Sequence, residues 1–132
     1  MSRQIIQAYY DAFNRGDAAG MLVLLSDDVE HHVNEGQVRQ GKAPFAEFCG
    51  HMGVSYRETL TGIEIFANAD GTRAAAEFVV NGEYLKTDPG LPEARGQRYV
   101  LPAGTFFALK DGKITRVTTY YNLNDWIAQV SA

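Results

Sequence analysis

Several side chains in this sequence sit at spacings suited to moving a proton. His31 and His32 adjoin in the run Val29-Glu30-His31-His32-Val33-Asn34. An imidazole, with an unperturbed pKa of about 6.5, exchanges protons near neutral pH. If the run is a strand, successive side chains alternate, so His32 and Asn34 share one face and His31 and Val33 the other. We expect His32 and Asn34 to face the interior, with His32 as acid/base and Asn34 orienting a substrate or the imidazole. The competing arrangement packs one histidine in the core and leaves the other in solvent. Tyr9 stands four residues from both Ile5 and Phe13. That is a helical stripe, which turns the ring inward and obliges its hydroxyl to find a partner or face a cavity. Thr119 and Tyr121 share a face by strand alternation, and Tyr121 could donate a hydrogen bond or line a wall.

Other chemistries find less support. His31, His32 and His51 coexist with many carboxylates, but neighbouring histidines on a strand diverge and no HxH or HExxH spacing occurs, so no metal is expected. Cys49 is the single cysteine, which rules out an internal disulfide and a CxxC motif. Its place beside Phe48 on an apolar stripe points to a buried structural thiol. Asp27-Asp28 reads as a solvated turn. The 12 Lys and Arg are scattered singly against 16 Asp and Glu, for a net charge of −4, which argues against a nucleic-acid partner. The opening MSRQIIQAYYDAF is neither a signal peptide nor a membrane span. A cytoplasmic protein with no membrane partner and no cofactor is the expectation.

The elements that must position these residues follow from periodicity. Ser2 to Arg15 reads as an amphipathic helix with Gly16 as its C-cap, and Asp17 caps a second helix running to Leu25. Val29 to Asn34 is a short strand and Glu35 to Gly41 a loop. A third helix follows, with Pro44 in its first turn and Phe45, Phe48 and Met52 at helical spacing. Strands are expected at Thr59 to Ala67 and Arg73 to Tyr84 around Asp70-Gly71, and at Tyr99 to Leu109 and Ile114 to Tyr121 around Asp111-Gly112. Lys86 to Gln97 is a long loop, and Asn122 to Ala132 a closing amphipathic turn of helix carrying Trp126, Ile127 and Val130. The 132 residues match one domain, 1–132, of the α+β class, with helices packed on one face of an antiparallel sheet. Apolar residues at 45% and charged residues at 21% are ordinary globular composition.

The runs YYDAFNRGD and LLSDDVEHHVNEG, with the ending DGKITRVTTYYNLNDWIAQV, resemble the nuclear-transport-factor-2-like superfamily in its ketosteroid-isomerase-related and SnoaL-like branches. The resemblance implies a curved sheet forming a cone, a deep apolar pocket and a homodimer. It also implies proton transfer on an apolar carbonyl-bearing ligand, by an isomerase, cyclase or dehydratase. A non-catalytic binding or dimerisation module is the alternative. Counting back from the turn at Asn14 to Asp17 puts the family's oxyanion-holding tyrosine at Tyr9, and its carboxylate base falls at His32. The second oxyanion donor, an aspartic acid in the family, corresponds to the stretch 101–107, where Thr105 is the only polar candidate; a hydroxyl there is the weaker donor. Thr119 and Tyr121 are implied to face the pocket. Trp126 is left to close its mouth, pack on the sheet or join an interface.

Overall fold

The computed structural model describes residues 1–34 and 36–132. Helix α1 (Ser2–Asn14) buries Ile6, Tyr9, Tyr10 and Ala12. It ends where Gly16 takes a left-handed backbone, φ 71°, a conformation that costs glycine nothing. Asp17 then caps α2 (Ala18–Leu22) by accepting the Gly20 N–H at 2.8 Å.

Strand β1 (Leu25–Val33) starts four residues earlier than periodicity suggests. Asp27 and Asp28, read as a turn, lie inside it, at the point where its register against the last strand shifts between Leu25 and Glu30. The bulge turns both carboxylates to solvent. Most of the expected 35–41 loop is also corrected. Residues 38–40 form an edge strand, β2 (Val38–Gln40), paired antiparallel with β1, while Glu35 lies outside the described residues. Turn-like composition conceals such a strand, because its evidence is a partner elsewhere in the chain.

Helix α3 (Lys42–Ser55) leads into β3 (Tyr56–Ala67), β4 (Arg73–Tyr84), β5 (Gln97–Lys110) and β6 (Lys113–Tyr121), and α4 (Leu123–Ser131) closes the chain. Asp111 and Gly112 both have positive φ, 52° and 76°, which is the twist a tight hairpin needs. The sheet order is β2-β1-β6-β5-β4-β3, antiparallel except where β1 lies parallel to β6. The exposed side of β3 is held by Asn14, whose amide donates to the Leu60 carbonyl and accepts the Leu60 N–H, both at 2.9 Å. This caps an edge that would otherwise be open to pairing.

All helices cover one face of the curved sheet. On that inner face Val29, His31, Val117, Phe107, Leu101, Tyr99 and Tyr84 meet Ile6, Tyr9, Phe45, Trp126 and Val130, all of them buried. The loop 85–96 is irregular as expected, but it is stapled. The Tyr84 hydroxyl donates to the Pro92 carbonyl (2.6 Å) and accepts the Asp88 N–H (2.9 Å). Helix α4 is tied to β5 by Gln129, whose amide both accepts from and donates to the Val100 backbone at 2.9 Å. Among the described residues no helix is long and apolar enough to cross a membrane.

Candidate functional site

Strand alternation in β1 holds, but in the phase opposite to the one expected. Val29 and His31 point inward under α3, and His32 points to the outer face. The valine decides this, because an apolar residue at 29 must be buried and 31 follows it by the two-residue period. His31 is 3% exposed, with its ring 4.5 Å from that of Phe45 and 4.8 Å from that of Phe48. Its Nδ1 has no hydrogen-bond partner among the described residues. Burial, with smaller contributions from the charges of Arg39 and His32, pushes its pKa down to about 4, so the ring is neutral at neutral pH. His32 instead sits 3.5 Å from the Glu30 carboxylate and lines an outer recess with Phe106, Arg116, Thr118 and Tyr120.

Asn34 departs from its expected position as well. Its backbone is left-handed, φ 45°, so it leaves the strand alternation. Its side-chain oxygen accepts the Tyr121 N–H at 3.1 Å and its own N–H donates to the Thr119 carbonyl at 2.7 Å. Asn34 therefore ties the end of β1 to β6.

The other candidates lie on the inner face. Tyr9 packs edge-on against Tyr10 (5.1 Å) and Phe107 (5.6 Å). Burial, then Tyr10 and Cys49, raises its pKa well above normal, which keeps the phenol protonated. Thr105 is buried and its hydroxyl is hydrogen-bonded to Tyr10. Thr119 stands opposite Thr105 across the β5–β6 ladder, and Tyr121 opposite Ala103. Trp126 packs on the sheet, 4.9 Å from Tyr84, 5.9 Å from Tyr99 and 6.0 Å from Tyr56.

Around Trp126 the structure assembles a polar cluster that periodicity alone does not single out. The Tyr99 hydroxyl donates to Glu58 Oε2 at 2.5 Å, and its ring packs edge-on against that of Trp126. Burial raises the Glu58 pKa, partly offset by the Tyr99 hydrogen bond. Beside them the Tyr56 hydroxyl donates to Asp88 Oδ2 at 2.7 Å, and Asp88 Oδ1 lies 3.1 Å from His51 Nε2. The Tyr99 ring occupies the space above Gly82, where a Cβ would come within 2.2 Å of it. A signal for this cluster exists in retrospect. Tyr56-x-Glu58-x-Leu60 puts a carboxylate in phase with a buried leucine, and a glycine within the strand at 82 marks the close approach of a neighbour.

Two open recesses lie on the outer face, one at His32 and the other lined by Phe66, Ala75, Glu77, Pro102 and Phe106. Neither is the inner pocket that the resemblance implies. The inner face is instead walled by aromatic rings around the Tyr99 cluster.

The family model described as "SnoaL-like domain" matches residues 6–117. The chain belongs to the SnoaL-like family. Among solved structures, this SnoaL-like chain is similar to a protein of Silicibacter sp. TM1040 named as a candidate polyketide cyclase. The identity is 65%, the TM-score 0.97, and the match covers 99% of this chain and 96% of that one. A second candidate polyketide cyclase, from Pseudomonas putida KT2440, is 56% identical with a TM-score of 0.97 and 98% coverage of both chains. An NTF2-like protein of unknown function from Burkholderia pseudomallei shares the fold at 16% identity, with a TM-score of 0.84 and coverage of 99% and 98%. A search of curated proteins gave no match. The SnoaL-like assignment accounts for the helices inside a curved six-stranded sheet.

Proposed function

We propose that this SnoaL-like domain binds an apolar, carbonyl-bearing small molecule such as a polyketide on its inner face. There it catalyses a proton transfer that isomerises, dehydrates or cyclises that molecule. The observation that carries this reading is the convergence of Tyr99, Glu58, Tyr56 and Trp126 within one aromatic wall, where apolar surroundings strengthen polar contacts. The candidate polyketide cyclases at 65% and 56% identity support the substrate class. Tyr9 is the proposed donor to the substrate oxygen, because its phenol stays protonated. Thr119, Tyr121 and Trp126 line the site, and Thr105 acts through Tyr10. Two imidazoles stand on this side, that of His31 under α3 and that of His51 beside Asp88, whereas His32 points to the outer face.

α-Deuteration of 2-tetralone, an apolar bicyclic ketone, tests the reading. In D2O the protein is expected to accelerate exchange at the ketone α-carbon well above the buffer rate, followed by NMR. An unchanged rate, with the ketone still bound, would leave a binding module in place of an enzyme.

We further propose that the working form is a cytoplasmic homodimer joined through the outer sheet face. Phe66, Phe106 and Tyr120 are each about half exposed there, and Phe106 stacks edge-on with Tyr120 at 5.9 Å. Arg116, whose buried Nε has no hydrogen-bond partner among the described residues, and His32 lie toward β1. Glu64 and Glu77 stand opposite each other as like charges across the β3–β4 ladder. A two-fold axis through Phe106 would set the Arg116 side of each copy against Glu64 and Glu77 of the other. Phe106→Asp is expected to convert a dimer into a monomer in analytical ultracentrifugation. A wild type that sediments as a monomer at all concentrations would sink the idea.

A further inference from the structure

Glu58 is placed unlike a structural carboxylate. It lies on the inner face of β3, between Tyr56 and Leu60 in phase, and none of the ion pairs formed among the described residues includes it. Its partner is a phenol, and that phenol is held rigidly. Tyr99 is 2% exposed, lies against Gly82 from β4 and packs edge-on against Trp126 from α4. Three elements thus fix one hydroxyl on one oxygen of one carboxyl group. A pair built only for stability would gain as much from a glutamine, without the cost of an ionisable group in apolar surroundings.

We infer that Glu58 is the catalytic acid/base of this site and that Tyr99 is its positioning residue, an assignment that rests on the proton-transfer reading above. Tyr99 engages Oε2 and leaves Oε1 to the substrate. Glu58 Oε1 takes a proton from the carbon next to the ligand carbonyl. The C–H bond breaks, its electron pair passes to the carbonyl oxygen as an enolate, and an O–H bond forms on Glu58. The acid then returns that proton. In an isomerisation it goes to another carbon of the same molecule. In a cyclisation it goes to the alkoxide left when the enolate carbon attacks a second carbonyl. Either way the carboxylate is regenerated and nothing is consumed. Burial favours the acid form and raises the pKa, while the Tyr99 bond favours the carboxylate and offsets part of that rise. The titratable groups around it are Tyr99 and Tyr56, with Asp88, His51 and Tyr121 reached through Tyr56.

The test compares wild type, Glu58→Gln and Tyr99→Phe in the 2-tetralone exchange as a function of pH, with the fluorescence of Trp126, the single tryptophan, recorded alongside. Glu58→Gln preserves shape and the hydrogen bond, so the fold should survive, and exchange should fall by about 100-fold or more. The wild-type rate should rise through a midpoint above the ordinary carboxylate range, and Trp126 emission should follow the same midpoint. Tyr99→Phe should move that midpoint upward, a shift that a merely structural role would not produce. Glu58→Gln should abolish the emission change. Exchange within three-fold of wild type in a folded Glu58→Gln would overturn the inference and leave the proton-transfer reading standing. Absence of exchange in the wild type would overturn both.

Discussion

Lowering the pH from about 6.5 to about 4 is expected to remove about 3 kcal/mol of stability through His31 alone. Its folded-state pKa is depressed, so within this window the unfolded chain binds a proton that the folded chain refuses. The stabilisation is fully present above 6.5, is lost as pH falls toward 4, and changes no further below that. Among the described residues no hydrogen bond to Nδ1 compensates, and the ring packs against Phe45 and Phe48. Urea unfolding across pH should therefore show a sloping limb that His31→Leu flattens. The variant should be as stable as wild type at neutral pH, or more so, since it removes an unsatisfied buried nitrogen. Asp17 and Asp70, whose hydrogen bonds hold their pKa values low, act in a separate window below the ordinary carboxylate range. A limb that survives in His31→Leu would mean that the buried imidazole is not its source.

Trp126→Ala is expected to cost about 3–5 kcal/mol, the range for emptying a large aromatic site. The indole is 4% exposed and touches Tyr56, Tyr84 and Tyr99. Those rings are bound to other groups and cannot collapse into the space. Tyr84 is fixed by Pro92 and Asp88, and Tyr99 by Glu58. The thermal midpoint, followed by circular dichroism, should fall by roughly 10 °C or more. Trp126→Phe should recover most of the packing but not the indole N–H, separating stability from the tuning of Tyr99. A loss below 1 kcal/mol in Trp126→Ala would show that α4 is not anchored by this residue.

What the residues alone reveal here depends on how local the cause is. Gly16 with Asp17, and Asp111 with Gly112, specify their turns through their own backbone preferences, and each appears where expected. The inward ring of Tyr9 follows from helical spacing in the same way. Strand phase is different. His31 and His32 are equivalent until something says which side is covered, and that information is the packing of α3 on Val29 and His31. The site cluster was hidden for a related reason. Glu58, Tyr99 and Trp126 are separated by tens of residues, and only the registers Glu58–Gly82–Tyr99 across β3, β4 and β5 bring the first two together. Val38 to Gln40 do not announce a strand, because three residues carry too little pattern.

The parallel pairing of β1 with β6 governs the order in which the protein can be completed. Strands β3 to β6 form a meander whose neighbours follow one another along the chain, so they can zip up as they are made. Strand β1 is made far earlier, yet on its inner side it pairs only with a strand ending at Tyr121, and on the other side with the three residues of β2. A nascent chain therefore carries Val29 and the face of α3 that covers it without their partner strand until nearly all of it has been synthesised, while α1 can dock on β3 and β4 earlier. Contacts spanning so much sequence are slow to close. Refolding should be limited by the docking of β1 onto β6, and that waiting period is when the apolar faces of β1 and α3 are most open to aggregation.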